Sequence, residues 1–437
     1  MPGEIAGLPH FEVGFDERGR SDRGEVDALL AGVPAAGITD LFAFSHGWNN
    51  DRRQARRLYQ RFFQQVPGLR SQAGAGAPAA TVGTVGVVWP SKRWADEPDP
   101  TAAAGGAAGL AEPAPADDAA LVEDLKDVFP GAAQQQALEE LAGLLAQRPD
   151  DPAQLARFQA LMERLSGEPD AAPASEDAGE LALVADEPEA VFSRFADAVP
   201  GSGEGGAAGL GDRFGRLWDG AKEALRQLTY FEMKKRAGVV GRDGLGPLLG
   251  RLGDASPGLR VHLLGHSFGA RLVSFALAGL PSPAASPVGS LCLLQGAFSH
   301  FAFADALPFD RDRGGALKGM AARVDGPLVA SFSAHDLAVG KFYPLASLSS
   351  RDDAAAADDL LFRWGGIGHD GAQAVQATEV TLGPVGAAYS FQAGRFVNLD
   401  ANAIVNQGGP PSGAHSDIFH PELVWAALAA AGLVRAG

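Results

Sequence analysis

Gly265-His266-Ser267-Phe268-Gly269 sets a serine between two glycines, at a point where the pattern of the chain changes. Residues 259–264 read as a short buried strand, and residues 270–279 read as a helix. A serine at that junction stands on a sharp turn, where bulky neighbours would collide. Glycine at 265 and 269 removes those side chains and permits strained backbone angles. The helix behind Ser267 aims its first amides and its positive dipole end at the same spot. The chemistry such a residue can do is nucleophilic attack on an acyl carbon. The plain alternative is a Gly/Ser turn, common in a chain with 57 glycines, but the strand before and the helix after argue for the elbow.

A strand–serine–helix turn of this kind resembles the nucleophile elbow of the α/β-hydrolase family. A serine hydroxyl also needs a base, an orienting carboxylate and an oxyanion hole. The resemblance implies the chain order serine, acid, histidine, and this sequence supplies it. The acid expected is Asp336, in the loop that leaves the apolar run 327–333; a helix cap or turn role is its alternative. Asp400, after 395–399, is the second choice because it closely precedes the histidine region. Three histidines follow Asp336. His415, in the small-residue loop before a C-terminal helix expected from Pro421 to about Ala430, is preferred over His420 and His369. His420 belongs to the helix start and His369 to a glycine-rich loop. Of the two oxyanion amides, one is expected from Phe268. The other is expected from Trp48, with Asn49 second, in the His46-Gly47-Trp48-Asn49-Asn50 loop that leaves the apolar run 40–45. His46 is read as a brace for that loop.

The likeness covers about residues 38–95 and 230–430. More narrowly, "FSHGWNND" together with Val87-Val88-Trp89-Pro90-Ser91 looks like a bacterial hydrolase-like group. The family implies ester or acyl hydrolysis without a cofactor, and no particular substrate. The fold expected is α/β: a doubly wound, mostly parallel sheet with strands near 40–45, 82–89, 259–264, 290–294, 327–333 and 395–399, and an early one near 11–15.

Charge divides the chain. Residues 96–204 carry 24 acidic and 5 basic residues, a net of −19, whereas the whole chain nets −17, so the remainder is nearly neutral at +2. The expected organisation is a discontinuous hydrolase core (1–95 and 205–437) with an acidic, largely helical insertion at 96–204. Within it, 99–118 and 167–180 read as linkers. Leu138, Leu141, Leu144 and Leu145 share a helical face, as do Leu155, Phe158, Leu161, Met162 and Leu165. A lid over the site is favoured over a solubilising spacer, because amphipathic faces need a partner. A long helix should then run from Asp212 to about Ala237, its last turn holding Lys234, Lys235 and Arg236, and stop at Gly238.

The acidity argues against nucleic acid and anionic membranes as partners. No apolar run reaches membrane-spanning length, no secretory segment is seen, and the single cysteine, Cys292, excludes an internal disulfide. The protein is therefore expected to be soluble and cytoplasmic, with a small-molecule acyl substrate. No metal is expected, since no Cys/His cluster or His-Glu-x-x-His stands in the chain. Three functions remain open. One is a serine hydrolase of esters, thioesters or other acyl bonds. The second is a peptidase or acyltransferase on the same residues. The third is a non-catalytic protein of this fold whose acidic insert docks a basic partner.

Overall fold

Apolar runs rich in Val, Leu and Phe become the strands of one sheet, and in those at Asp40–Ser45 and Val288–Leu294 every residue is buried, as strands covered on both faces require. The computed structural model describes residues 3–48, 50–73, 79–91, 118–166, 187–198, 210–281, 286–342, 365–409 and 412–434. The chain divides into two compact units: Met1–Arg93 with Lys234–Pro344 and Leu361–Gly437, and Trp94–Met233 with Leu345–Leu360.

Among the described residues the first unit holds nine strands: β1 (Gly3–Ile5), β2 (Leu8–Gly14), β3 (Asp40–Ser45), β4 (Val82–Val88), β5 (Arg260–His266), β6 (Val288–Leu294), β7 (Leu328–Phe332), β8 (Ala377–Thr381) and β9 (Phe396–Asp400). Their order across the sheet is β1-β2-β4-β3-β5-β6-β7-β9-β8. Only β1, paired to β2, runs antiparallel. The sheet is flanked by helices, so the α/β, mostly parallel architecture stands. Two strands escape the sequence pattern. β1 has three residues, and β8 lies at an edge with its residues half-buried or exposed, so neither shows an apolar run.

Alternation along β3 explains how the sheet is covered. Phe42 and Phe44 join Leu58, Tyr59, Phe62 and Phe63 of the helix Arg52–Phe63, and the same cluster takes in Trp425 from the helix Pro421–Ala430. Phe44 packs edge-on against Phe62 at 5.0 Å. Cys292 is buried in this core, and burial pushes its thiol up to about 12.

Gly238 does not end the long helix. That helix, Leu210–Val239, runs through it into a wide-turned stretch, Val240–Leu245, and on into the helix Gly246–Ala255. The glycines just beyond Gly238, at Gly241, Gly244 and Gly246, serve close packing. A Cβ on Gly241 would stand 2.1 Å from the Leu272 carbonyl oxygen in the helix Phe268–Ala278. The basic cluster therefore does not cap a helix end. Lys234 and Arg236 are buried, the Lys234 carbonyl accepts from Arg271 Nε, and Arg236 donates to the Pro90 carbonyl at 2.9 Å.

The described part of the second unit is helical: Asp118–Val128, Ala132–Gln147, Pro152–Ser166, Pro188–Ala198 and the long helix up to Met233. It buries a core of its own. Leu141, Leu145, Leu155 and Leu161 are fully buried, and Phe158 meets Phe192 and Trp218 edge-on at 5.8 and 5.6 Å. The expected linkers, 99–118 and 167–180, lie outside the described residues apart from Asp118.

Candidate active site

Strand order fixes where a site can form. After β3 the chain crosses to β4 on one side, and after β5 it crosses to β6 on the other. Crossovers that depart in opposite directions leave a crevice at the C-terminal ends of the two strands between them. Register pairs Ser45 with Gly265, so His46-Gly47 and His266-Ser267 leave the sheet side by side in that crevice.

Ser267 caps the helix Phe268–Ala278 with φ 57° and ψ −125°, a backbone state that few non-glycine residues adopt. Such strain costs on the order of 1–3 kcal/mol and persists only where the surroundings impose it. Here the glycines allow it. A Cβ on Gly265 would stand 2.5 Å from the Ala270 backbone, and one on Gly269 would stand 2.1 Å from the Ser45 carbonyl oxygen.

The three residues singled out for nucleophile, base and acid meet. His415 Nε2 lies 2.8 Å from Ser267 Oγ, and His415 Nδ1 lies 2.8 Å from Asp336 Oδ2. A carboxylate only accepts, so Nδ1 carries the proton and Nε2 presents its lone pair to the serine hydroxyl. Asp336 is fully buried and its Oδ1 accepts the Val339 N–H at 3.0 Å. The loop that carries His415 is zipped to the one that carries Asp336 by a bridge between Gly413 and Asp336 and by the Ala414 N–H donating to the His335 carbonyl at 2.8 Å.

The other candidates are engaged elsewhere. Asp400 Oδ1 accepts from the backbone and side-chain nitrogens of Asn402. His420 begins the C-terminal helix and pairs with Asp417 at 2.8 Å, a bond that holds its imidazole above the usual histidine range. His369 is raised likewise by Asp370, 2.6 Å away. Each of these two histidines has its carboxylate within three positions along the chain, a signal already present in the sequence.

The loop after β3 is braced from several sides. His46 is fully buried, and burial pushes its imidazole down to about 4, so it is neutral. Its Nδ1–H donates to the Gly47 carbonyl at 2.8 Å, and its Nε2 accepts the Trp89 N–H at 3.3 Å. The Trp89 indole stacks on the ring and donates to the His46 carbonyl at 2.9 Å. Tyr59 accepts the His46 N–H and donates to the Val87 carbonyl. Asn50 Nδ2 donates to the Trp48 carbonyl, and Ser91 Oγ bonds Asn50 at both its N–H and its carbonyl. The Trp-Pro-Ser segment is thus a clamp on the His-Gly loop. Tyr59 and Asn50 were not singled out from sequence.

Of the expected oxyanion donors, Phe268 directly follows the serine, and Trp48 sits beside it with ring centroids 6.1 Å apart. Asn49 lies outside the described residues. Gly47 touches the serine, since a Cβ there would stand 2.6 Å from Ser267 Cβ and 3.1 Å from Oγ. Gly47→Ala is therefore expected to push the loop off the elbow. Loss of one oxyanion donor costs about 10²- to 10³-fold in turnover, and kcat should fall by that order, while the overpacking lowers stability by about 1–3 kcal/mol. A variant within about twofold of wild type would show that the loop takes no part.

The same three residue types recur at the other end of the strands. His262 Nδ1 meets Ser290 Oγ at 2.9 Å and Nε2 meets Asp40 Oδ1 at 3.1 Å, all buried and closed to any substrate. This chain is structural, and it has a consequence for acid stability. Burial holds His10, His46, His262 and His266 below the ordinary histidine value, His266 at about 3. Between those values and about 6.5 the unfolded chain binds protons that the folded one refuses, so stability falls as pH drops. His46 and His266 should each forfeit roughly 2–3 kcal/mol by pH 4.5. His369 and His420 act oppositely: their contribution is complete below about 6.5 and fades as pH rises through their raised values. Thermal melts from pH 7 to 4.5 should show a steady fall, and a flat profile would contradict it.

Among the described residues no group of three or more His, Cys, Asp or Glu side chains is placed to hold a metal ion, and no helix is long and apolar enough to cross a membrane. The chain matches no protein-family profile, no curated protein and no solved structure.

Proposed function

We propose that the protein is a serine hydrolase of the α/β-hydrolase fold that cleaves an ester, thioester or other acyl bond through an acyl-enzyme. The observation that carries this reading is the unbroken hydrogen-bond chain Ser267–His415–Asp336, built on a strained turn at the crevice of the sheet. A structural serine gains nothing from a positive φ, whereas a nucleophile gains exposure of its oxygen to an incoming carbonyl.

In the first half-reaction Ser267 Oγ attacks the acyl carbon and its proton passes to His415 Nε2. Asp336 fixes the ring and stabilises the imidazolium. The Phe268 and Trp48 amides are assigned to the oxyanion. His415 then gives its proton to the leaving group. In the second half-reaction water repeats the attack on the acyl-enzyme and regenerates Ser267.

An acid-quenched mixture with a short p-nitrophenyl ester tests this directly. Intact mass should rise by one acyl group, with the adduct mapped to Ser267. Turnover with no adduct, or an adduct elsewhere, would refute the assignment.

A further inference from the structure

His266, the residue between Gly265 and the serine, has an unassigned role. Its side chain is buried, with the ring centroid 5.0 Å from that of His415. Its Nε2 lies 2.9 Å from the backbone carbonyl of His415. A carbonyl only accepts, so Nε2 carries the proton. Burial, aided by the neighbouring His415, keeps the ring singly protonated. Its Nδ1 has no hydrogen-bond partner among the described residues. A buried polar atom left unmet is a cost, and among the described residues the bond this side chain gains in return is the one to the His415 backbone.

Beyond the turn that the His415 N–H closes onto the Ser412 carbonyl, the base is held at three points in the resting enzyme: its Nδ1 by Asp336, its loop by the bridge to the acid loop, and its own carbonyl by His266. A fourth hold comes from the serine hydroxyl, which donates to Nε2. That fourth hold vanishes on acylation, because Oγ then has no proton to give. In the second half-reaction His415 must nonetheless stay in place. Water oxygen attacks the acyl carbon, its proton goes to His415 Nε2, the carbon–Oγ bond breaks, and Nε2 returns the proton to Oγ as the acid leaves.

We propose that His266 is a positioning residue for deacylation, tethering the backbone of His415 while Ser267 carries the acyl group. This rests on the hydrolase reading above. Because the tether runs from the elbow itself, base and nucleophile stay in register even when their direct bond is absent. A small displacement of a reacting group is enough to cost on the order of 10- to 100-fold.

The test is pre-steady-state kinetics with a p-nitrophenyl ester on wild type, His266→Phe, His266→Asn and His266→Gln. Burst rate reads acylation, steady-state rate reads deacylation, and burst amplitude counts the folded sites, so a poorly folding variant still yields rates per site. Phenylalanine and asparagine remove the donor at the Nε2 position; glutamine can restore it. We expect burst rates within about threefold of wild type, steady-state rates lower by on the order of 10- to 100-fold for Phe and Asn, and recovery in Gln. Parallel loss of both rates, an unchanged steady state, or a Gln variant as slow as Phe would overturn the proposal and leave the hydrolase reading intact. A wild type that forms no acyl adduct on Ser267 would overturn both.

Discussion

Ser267→Ala is expected to abolish acyl-ester turnover, lowering kcat by about 10⁵-fold or more, while the protein still folds. Alanine keeps the Cβ and so keeps the strained φ of 57°, and it removes only the oxygen that His415 contacts. Its stability should lie within about 1 kcal/mol of wild type, since a single hydrogen bond is exchanged. Ser267→Gly goes further. Glycine tolerates positive φ, so this variant should be equally inactive and more stable than Ser267→Ala, the roughly 1–3 kcal/mol of strain released outweighing the roughly 0.5–1 kcal/mol that glycine's freedom costs. Inactivity with unchanged or raised stability is the pattern of a strained nucleophile. A Ser267→Ala protein that retains turnover would remove the serine from the reaction.

Asp336→Asn should lower kcat by about 10⁴-fold without disturbing the fold. The carboxylate obliges His415 to keep its proton on Nδ1, which leaves Nε2 as the acceptor for the serine hydroxyl. An asparagine amide turned to the same nitrogen would donate, and the imidazole would move its proton to Nε2, where it can no longer take one from Oγ. Asp336 is fully buried, so the neutral amide is no worse solvated than the carboxylate it replaces. The measurement is kcat beside a thermal melt. A loss under about tenfold would mean that Asp336 serves only to cap its loop through Val339.

Much of this site was legible along the chain because its parts are local. A strand, a Gly-x-Ser-x-Gly turn and a helix form one contiguous segment, and the strand–His-Gly loop forms another. Strand assignment succeeded where burial on both faces wrote a continuous apolar run, as in β3 and β6. It failed at β1 and β8, which are short or exposed. Gly238 misled for a related reason. A glycine that ends a helix and one inside a continuing helix look alike in sequence; Gly238 is the second kind, and the glycine that lets two helices touch is Gly241, beside the Leu272 backbone. The choice among His415, His420 and His369 depended on three-dimensional neighbours, although the carboxylates at Asp417 and Asp370 already offered the latter two a local partner. The clamp on the His46 loop comes from Tyr59, 13 residues along the chain, and from Trp89 and Ser91, 43 and 41 residues from their partners, all by buried bonds that no periodicity announces.

Covalent labelling with a fluorophosphonate bears most directly on the central claim, since an activated serine reacts with it far faster than an ordinary hydroxyl. Wild type should label stoichiometrically with the adduct mapped to Ser267; Ser267→Ala should not label, and His415→Ala should label far more slowly. Folded wild-type protein that takes up no probe, or takes it up with Ser267 removed, would contradict the account.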